Sequence, residues 1–151
     1  MMPKIAVSAC LLGYKTRYNG QNKKSQFLLD KYDFDELMPI CPEILGGLPT
    51  PRAPAEIIGG NGFDVLDGKS LVLDIYGIDH TKAFIKGAFE ARKRLYFLNI
   101  KTCILKSSSP SCGIGSFLPS KAVSSKTIET SISCGVTAAL FIREGFYLEE
   151  I

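Results

Sequence analysis

Residues 5–13 read Ile-Ala-Val-Ser-Ala-Cys-Leu-Leu-Gly, and this stretch decides the character of the fold. Its first three residues form an apolar run that is typical of a short buried strand. The run ends in small and polar residues that include Cys10, and it stops at a glycine. The stretch therefore predicts a first strand that carries a cysteine into the loop beyond its carboxyl end.

The same arrangement recurs at two later places in the chain. Residues 37–40, Leu-Met-Pro-Ile, predict a short extended segment that enters Cys41. Residues 101–106 predict a buried strand that runs into Ser-Ser-Ser-Pro-Ser-Cys-Gly and so reaches Cys112. The carboxyl ends of strands in an open parallel sheet face one common crevice. Three thiols that are far apart in the sequence are thus expected to meet there.

Helical patterns lie between these strands. Residues 80–98 have an apolar stripe at steps of three and four, with Asp79 placed as an N-cap. Residues 25–38 and 133–144 predict two further helices, and residues 146–148 predict a last strand. Alternating strands and helices indicate an α/β architecture with a mostly parallel sheet.

Two segments predict other structure. The Pro- and Gly-rich residues 42–62 predict a long loop, because proline fixes φ and removes a backbone donor. Residues 63–75 predict a hairpin that turns at Asp67-Gly68. No linker divides the chain, so residues 1–151 are expected to form a single domain.

Composition excludes several classes of protein. Hydrophobic residues make up 46% and charged residues 22% of the chain, which is typical of an ordinary globular protein. The net charge of +3 is too small to indicate nucleic-acid binding. No segment has the apolar length of a membrane span, and the amino terminus does not resemble a secretion signal. The expected compartment is the cytoplasm, where thiols stay reduced.

Grouped cysteines in such a compartment indicate a metal centre or catalysis more often than disulfides. Soft thiolates select iron–sulfur clusters, zinc or Cu(I), and three of them leave one coordination position open. The single histidine, His80, is expected at a helix surface, which disfavours a mixed Cys/His zinc site. Cys103 lies inside an apolar run and is expected in the core. Cys134 is expected to begin the last helix, either packed or as part of the site.

Four further side chains are candidates for the same site. Glu43 follows Cys41 by two residues and is a candidate general acid or base. Ser109 precedes Cys112 by three residues and either places a hydroxyl in the site or fills a turn. Arg17 and Arg52 lie on loops and are candidates for binding a planar polar or anionic ligand, with solvated surface charge as the alternative.

Motifs across nearly the whole chain resemble those of the DUF523 family, which includes thiouracil desulfidases. The resemblance is carried by Ser-Ala-Cys-Leu-Leu-Gly at 8–13, Arg-Tyr-Asn-Gly at 17–20, Cys-Pro-Glu at 41–43, Gly-Gly-Leu-Pro-Thr-Pro-Arg at 46–52, Pro-Ala-Glu-Ile at 54–57 and Ser-Pro-Ser-Cys-Gly at 109–113. The family's glycine-rich stretch after the last motif is replaced here by a Ser-rich segment. That departure affects the substrate more than the cofactor.

The resemblance implies a three-layer Rossmann-like domain that holds a [4Fe-4S] cluster on Cys10, Cys41 and Cys112, with one iron free of protein. It also implies non-redox removal of sulfur, as sulfide, from a thiolated pyrimidine or a related small thioamide. Glu43 and Ser109 would then be the acid/base and substrate-positioning groups. Two alternatives are a non-catalytic cluster-binding or sulfur-carrier module and a zinc-thiolate hydrolase.

Overall fold

The computed structural model describes residues 2–115 and 133–151. The chain forms six strands and five helices in these ranges, joined by turns and short 3₁₀ segments. In chain order the elements are β1 (Ile5–Ser8), α1 (Gln26–Lys31), β2 (Leu37–Ile40), α2 (Pro42–Leu45), β3 (Ala55–Ile58), α3 (Gly62–Leu66), β4 (Leu71–Asp74), α4 (Thr81–Phe97), β5 (Thr102–Leu105), α5 (Val136–Arg143) and β6 (Tyr147–Glu150).

Four of the strands form a sheet in the order β2-β1-β5-β6, and every neighbouring pair is parallel. β1 pairs with β2 on one side, and the chain then crosses over to place β5 on the other side of β1. The strand order therefore reverses at β1. In open α/β sheets such a reversal marks the crevice where ligands bind.

Both faces of this sheet are covered, because neighbouring residues of a strand point to opposite faces. Ala6 and Cys103 pack with residues of α4 and α5, including Ala91, Leu95 and Phe141. The adjacent residues of the same strands, Val7 and Ile104, pack with Leu28 of α1 on the opposite face. The result is the predicted three-layer α/β arrangement of Rossmann-like type.

The predicted hairpin over residues 63–75 is wrong. Residues Gly62–Leu66 form helix α3, whose start is fixed by a reciprocal capping box between Asn61 and Asp64. Asp67-Gly68 turns the chain from this helix into β4, which pairs antiparallel with β3. The turn at Asp67-Gly68 was predicted, but the elements on either side of it were not. The strand that pairs with β4 is β3, which precedes α3 in the chain.

The Pro- and Gly-rich segment 42–62 is more regular than predicted, since it contains α2 and β3. Pro42 occupies the first turn of α2, where a missing N–H costs nothing. Two glycines let α2 lie directly on α4. A Cβ at Gly87 would come within 1.8 Å of the Pro42 carbonyl oxygen, and one at Gly46 within 2.0 Å of the Ala83 oxygen.

The remaining predicted elements exist with different bounds, and the helices are shorter than predicted. The helix predicted over 80–98 is Thr81–Phe97. Its N-cap is His80 and not Asp79 as predicted, although Asp79 accepts a hydrogen bond from the Thr81 amide at 2.8 Å. The helix predicted over 25–38 ends at Lys31, and the one predicted over 133–144 begins at Val136. The Ser-rich stretch lies mostly outside the described residues. Among those described, no helix combines the length and apolarity needed to span a bilayer.

Candidate active site

A cavity of about 300 Å³ opens at the carboxyl ends of β2, β1 and β5, where the strand order reverses. The loops that follow these three strands supply its wall. All seven residues singled out from the sequence line this one cavity: Cys10, Arg17, Cys41, Glu43, Arg52, Ser109 and Cys112. The fold thus brings together side chains that are up to 102 positions apart in the sequence.

Cys10 lies in a 3₁₀ turn, Ala9–Leu12, that continues directly from β1. The turn ends at Gly13, whose φ of +99° is a left-handed conformation that favours glycine. The chain then returns across this turn, because the Cys10 carbonyl accepts a hydrogen bond from the Lys23 amide at 2.9 Å. The backbone around Cys10 is therefore held from two sides.

Cys41 is the residue between β2 and α2, and its side chain is half-buried. Its Sγ lies 4.0 Å from the Thr16 carbonyl oxygen, on the loop that follows Cys10. Because β1 and β2 are neighbours in the sheet, with Ser8 opposite Ile40, the two cysteine loops leave the sheet side by side.

Cys112 lies in a loop that is docked on the amino terminus of α5. The Pro110 and Ser111 carbonyls accept hydrogen bonds from the Val136 and Thr137 amides, both at 2.9 Å. The buried hydroxyls of Ser111 and Thr137 are also paired, at 3.0 Å. Helix α5 thereby receives acceptors for its free amides, and the cysteine loop receives a rigid support.

The three thiols are costly to ionise together. Burial raises the pKa of Cys10, Cys41 and Cys112 above the ordinary value. Negative charge at Cys41 raises the pKa of Cys10 further, and charge at Cys41 and Cys10 adds to the effect of burial on Cys112. A cationic centre among them would remove this cost, since a coordinated thiol is deprotonated outright. The donor set therefore fits a thiophilic metal centre.

A single metal ion fits these thiols less well than a cluster. Within residues 2–115 and 133–151, no three His, Cys, Asp or Glu side chains are grouped closely enough to hold one ion. Zinc binds sulfur at about 2.3 Å, so its ligands crowd around one atom. An iron–sulfur cluster is held by several thiolates on a larger cage. The zinc-thiolate alternative gains no support from the described side chains.

Glu43 and Arg52 form an ion pair in the cavity wall. The Arg52 Nε lies 3.1 Å from Glu43 Oε1, and the two side chains are 8% and 16% exposed. The other guanidinium nitrogens donate to the carbonyls of Pro49 and Thr16, at 3.1 Å and 2.9 Å, and to the Thr50 hydroxyl. Arg52 was expected to bind a ligand, but most of its donors hold the wall and Glu43 in place.

Ser109 and Arg17 differ in how firmly they are held. The Ser109 Oγ accepts hydrogen bonds from the amides of Ser111 and Cys112, at 3.1 Å and 3.0 Å. This is the turn-filling role weighed from the sequence, although the hydroxyl proton is still available to a ligand. The Arg17 guanidinium lies 5.7 Å from the centre of the Tyr18 ring, at the more exposed side of the cavity.

Sequence reasoning missed Lys106, Thr16 and Tyr18, which also line the cavity. Lys106 follows the fully buried end of β5 directly, and a charged residue at that position is a signal for the ligand crevice. Thr16 contributes only its carbonyl to Arg52 and Cys41, so its side-chain type carries no signal.

The remaining cysteines and the histidine lie away from this cavity. Cys103 is completely buried within β5, as predicted, and burial alone raises its pKa to about 12. Cys134 is buried two residues before α5, and burial raises its pKa to about 11. His80 lies at the start of α4, where its Nε2 is 2.8 Å from Asp74 Oδ2.

Comparison with known proteins identifies the family and supports the fold. The sequence is 42% identical over 142 residues to "Uncharacterized protein YbbK" of Bacillus subtilis (strain 168), covering 94% of this chain and 91% of the relative. The fold is similar to the solved structure of the "[4Fe-4S]-dependent thiouracil desulfidase TudS", with a TM-score of 0.76 at 35% identity. That match covers 98% of this chain and 90% of the other. The model of the family described as 2-thiouracil desulfurase matches residues 5–150, and the protein therefore belongs to that family.

Proposed function

We propose that this protein is an enzyme that removes sulfur, as sulfide, from a thiolated pyrimidine or a related small thioamide. The observation that carries the proposal is the single cavity lined by three free thiols and a carboxylate, in a member of the 2-thiouracil desulfurase family. Replacing C=S with C=O by water, with release of H₂S, changes no oxidation state. The reaction therefore needs no external oxidant or reductant.

Cys10, Cys41 and Cys112 would hold a [4Fe-4S] cluster, with one iron left without a protein ligand. The solved structural neighbour is named as dependent on such a cluster. When bound, the cluster supplies a soft Lewis acid that matches the sulfur of a thiocarbonyl. The rigid supports of the three loops, from the returning chain at Cys10 to the α5 terminus behind Cys112, would keep the three sulfurs in position.

Glu43 would be the general acid and base. Its Oε1 accepts a hydrogen bond from Arg52, while no residue of the described ranges donates a hydrogen bond to Oε2. Oε2 is thus available to accept a proton from the attacking water and to return it to the departing sulfur. Arg52 acts through Glu43 and is a positioning residue, because its guanidinium group also donates hydrogen bonds to the backbone carbonyls of Pro49 and Thr16.

Ser109 and Arg17 would orient the substrate. The Ser109 hydroxyl oxygen accepts two backbone hydrogen bonds, which fix its position. Its own O–H would donate to an acceptor on the ligand. Arg17 offers planar paired donors that suit the carbonyl oxygen of a thiolated pyrimidine. The substrate in this proposal is a small thiolated molecule. The cytoplasmic location and the single domain over residues 1–151 stay predictions.

The test is anaerobic reconstitution with iron and sulfide, followed by assay of sulfide release from 2-thiouracil and 4-thiouracil. The expected holoprotein is brown, contains acid-labile sulfide, and converts the thiobase to uracil in a one-to-one ratio with sulfide. A holoprotein with a full cluster that turns over none of a broad thiolated panel would instead support the cluster-binding or sulfur-carrier alternative. A colourless protein that copurifies with zinc would support the hydrolase alternative.

A further inference from the structure

The cavity wall carries an excess of positive charge, and the proposed reaction gives no role to all of it. Four charged side chains line it: Arg17, Glu43, Arg52 and Lys106. Glu43 and Arg52 neutralise each other as an ion pair at 3.1 Å. Neither of the other two forms an ion pair with a carboxylate of the described residues. Two uncompensated cations therefore face one half-enclosed space.

Lys106 is held in place rather than free in solvent. Its amide donates to the buried Ser8 hydroxyl at 2.9 Å, which ties the end of β5 to the end of β1. Its Nζ donates to the carbonyl and hydroxyl of Ser107, at 2.9 Å and 3.1 Å. An ammonium group has three donors, so one remains for a ligand. The ammonium is thus a pre-positioned point charge in the wall.

Lys106 and Arg17 line the same cavity as Cys10. A cleft with low-dielectric walls and one sign of charge concentrates the field on its contents. The ligand that this field favours is an anion, and beside three thiols the compatible anion is one that binds through sulfur.

We infer that Lys106 and Arg17 form an anion-binding wall that receives a sulfur anion, either the thiolate form of the substrate or the hydrosulfide product. This inference rests on the proposed function and deepens it, because it names the charge state in which the ligand is held. The wall stabilises the ionised form of a thiolated heterocycle over its neutral form. It also holds hydrosulfide until it leaves the cavity.

The test is direct calorimetric titration of anaerobic protein, so it does not depend on turnover. Thiocyanate is the probe, as a permanently anionic and unreactive sulfur ligand, and uracil is the neutral planar control. Lys106→Met is expected to weaken thiocyanate binding about tenfold while uracil binding stays within about twofold. Lys106→Arg is expected to restore most of the anion affinity. Lys101→Met removes an exposed lysine at the other end of β5 and is expected to change neither titration.

The same variants separate the two sulfur anions. A higher KM for 4-thiouracil with unchanged inhibition by hydrosulfide assigns the wall to the substrate thiolate, and the reverse assigns it to the product. Equal thiocyanate affinity in wild type and a Lys106→Met, Arg17→Gln double variant overturns the inference. So does a wild type that does not bind thiocyanate. Lost iron with unchanged anion binding also overturns it, because the cations would then serve only the thiolates.

Discussion

The loops at the strand ends and the interior of the sheet contain the same residue, cysteine, in two different settings. Cys103 is fully buried in β5, and burial alone raises its pKa, to about 12. Cys112 is also buried, but its pKa responds as well to charge at Cys41, Glu43 and Cys10. Burial therefore does not distinguish a core cysteine from a candidate ligand. The presence of other ionisable groups around the same cavity does.

The largest effect is expected when cysteine is replaced by alanine in each of the two settings. Cys112→Ala is expected to abolish cluster loading, with iron and acid-labile sulfide falling to background and sulfide release lost, because a ligand is removed. Cys103→Ala makes the same change in the core and is expected to retain the cluster, at a cost of about 1 kcal/mol in the free energy of unfolding. Iron analysis after reconstitution checks both.

If Cys112→Ala retains a full cluster, Cys112 is not a ligand. If Cys103→Ala loses the cluster without unfolding, the division between the two settings is wrong.

The next largest effect is expected at Glu43. Glu43→Gln keeps the size of the side chain but removes its proton acceptor, so kcat is expected to fall about 10²–10⁴-fold. Iron content and the visible spectrum are expected to be unchanged, since the carboxylate is not a predicted ligand. Glu149→Gln changes an exposed carboxylate on β6 and serves as the control. A Glu43→Gln enzyme with wild-type kcat would remove Glu43 from the chemistry.

A smaller effect is expected where the interior supports the site. Gly87→Ala would place a Cβ within 1.8 Å of the Pro42 carbonyl and push α2, which lies between Cys41 and Gly46, away from α4. We expect a loss of about 1–3 kcal/mol in the free energy of unfolding, although alanine is the better helix former. Urea denaturation measures it. The neighbouring exposed Lys86→Ala is expected to stay within about 0.5 kcal/mol, and an equal loss in both would refute the close-packing argument.

The smallest effect is a difference in thiol reactivity after the metal is removed with a chelator. Of the five cysteines, all within the described residues, Cys41 alone is not fully buried, so iodoacetamide is expected to modify it first. Modification is expected to accelerate as pH rises, because only the thiolate reacts. Burial raises the pKa of the Cys41 thiol, so the acceleration is expected at higher pH than for a free cysteine. Cys103 and Cys134, with pKa values of about 12 and 11, should lag at every pH. Peptide mass spectrometry that finds Cys103 modified first would contradict this order.

The sequence alone was sufficient for the features that depend on local pattern. The apolar stripe of α4 and a strand within residues 101–106 were predicted, because a helix and a strand each impose their own spacing on buried side chains. The placement of three cysteines just beyond strands was also visible. Parallel strands present their carboxyl ends at one edge, and that was enough to expect Cys10, Cys41 and Cys112 in one crevice.

Only the tertiary structure showed which strands pair and which side chains meet in the cavity. Residues 63–75 were predicted as a hairpin, but Gly62–Leu66 form a helix. Strand β4 pairs with β3, which precedes that helix, because pairing is selected by packing between segments that are distant in the sequence. The Arg52–Glu43 ion pair and the place of Lys106 in the wall likewise follow from which loops meet. Local sequence determines what each segment is, whereas contacts between segments determine the charge, support and neighbours that each side chain finds.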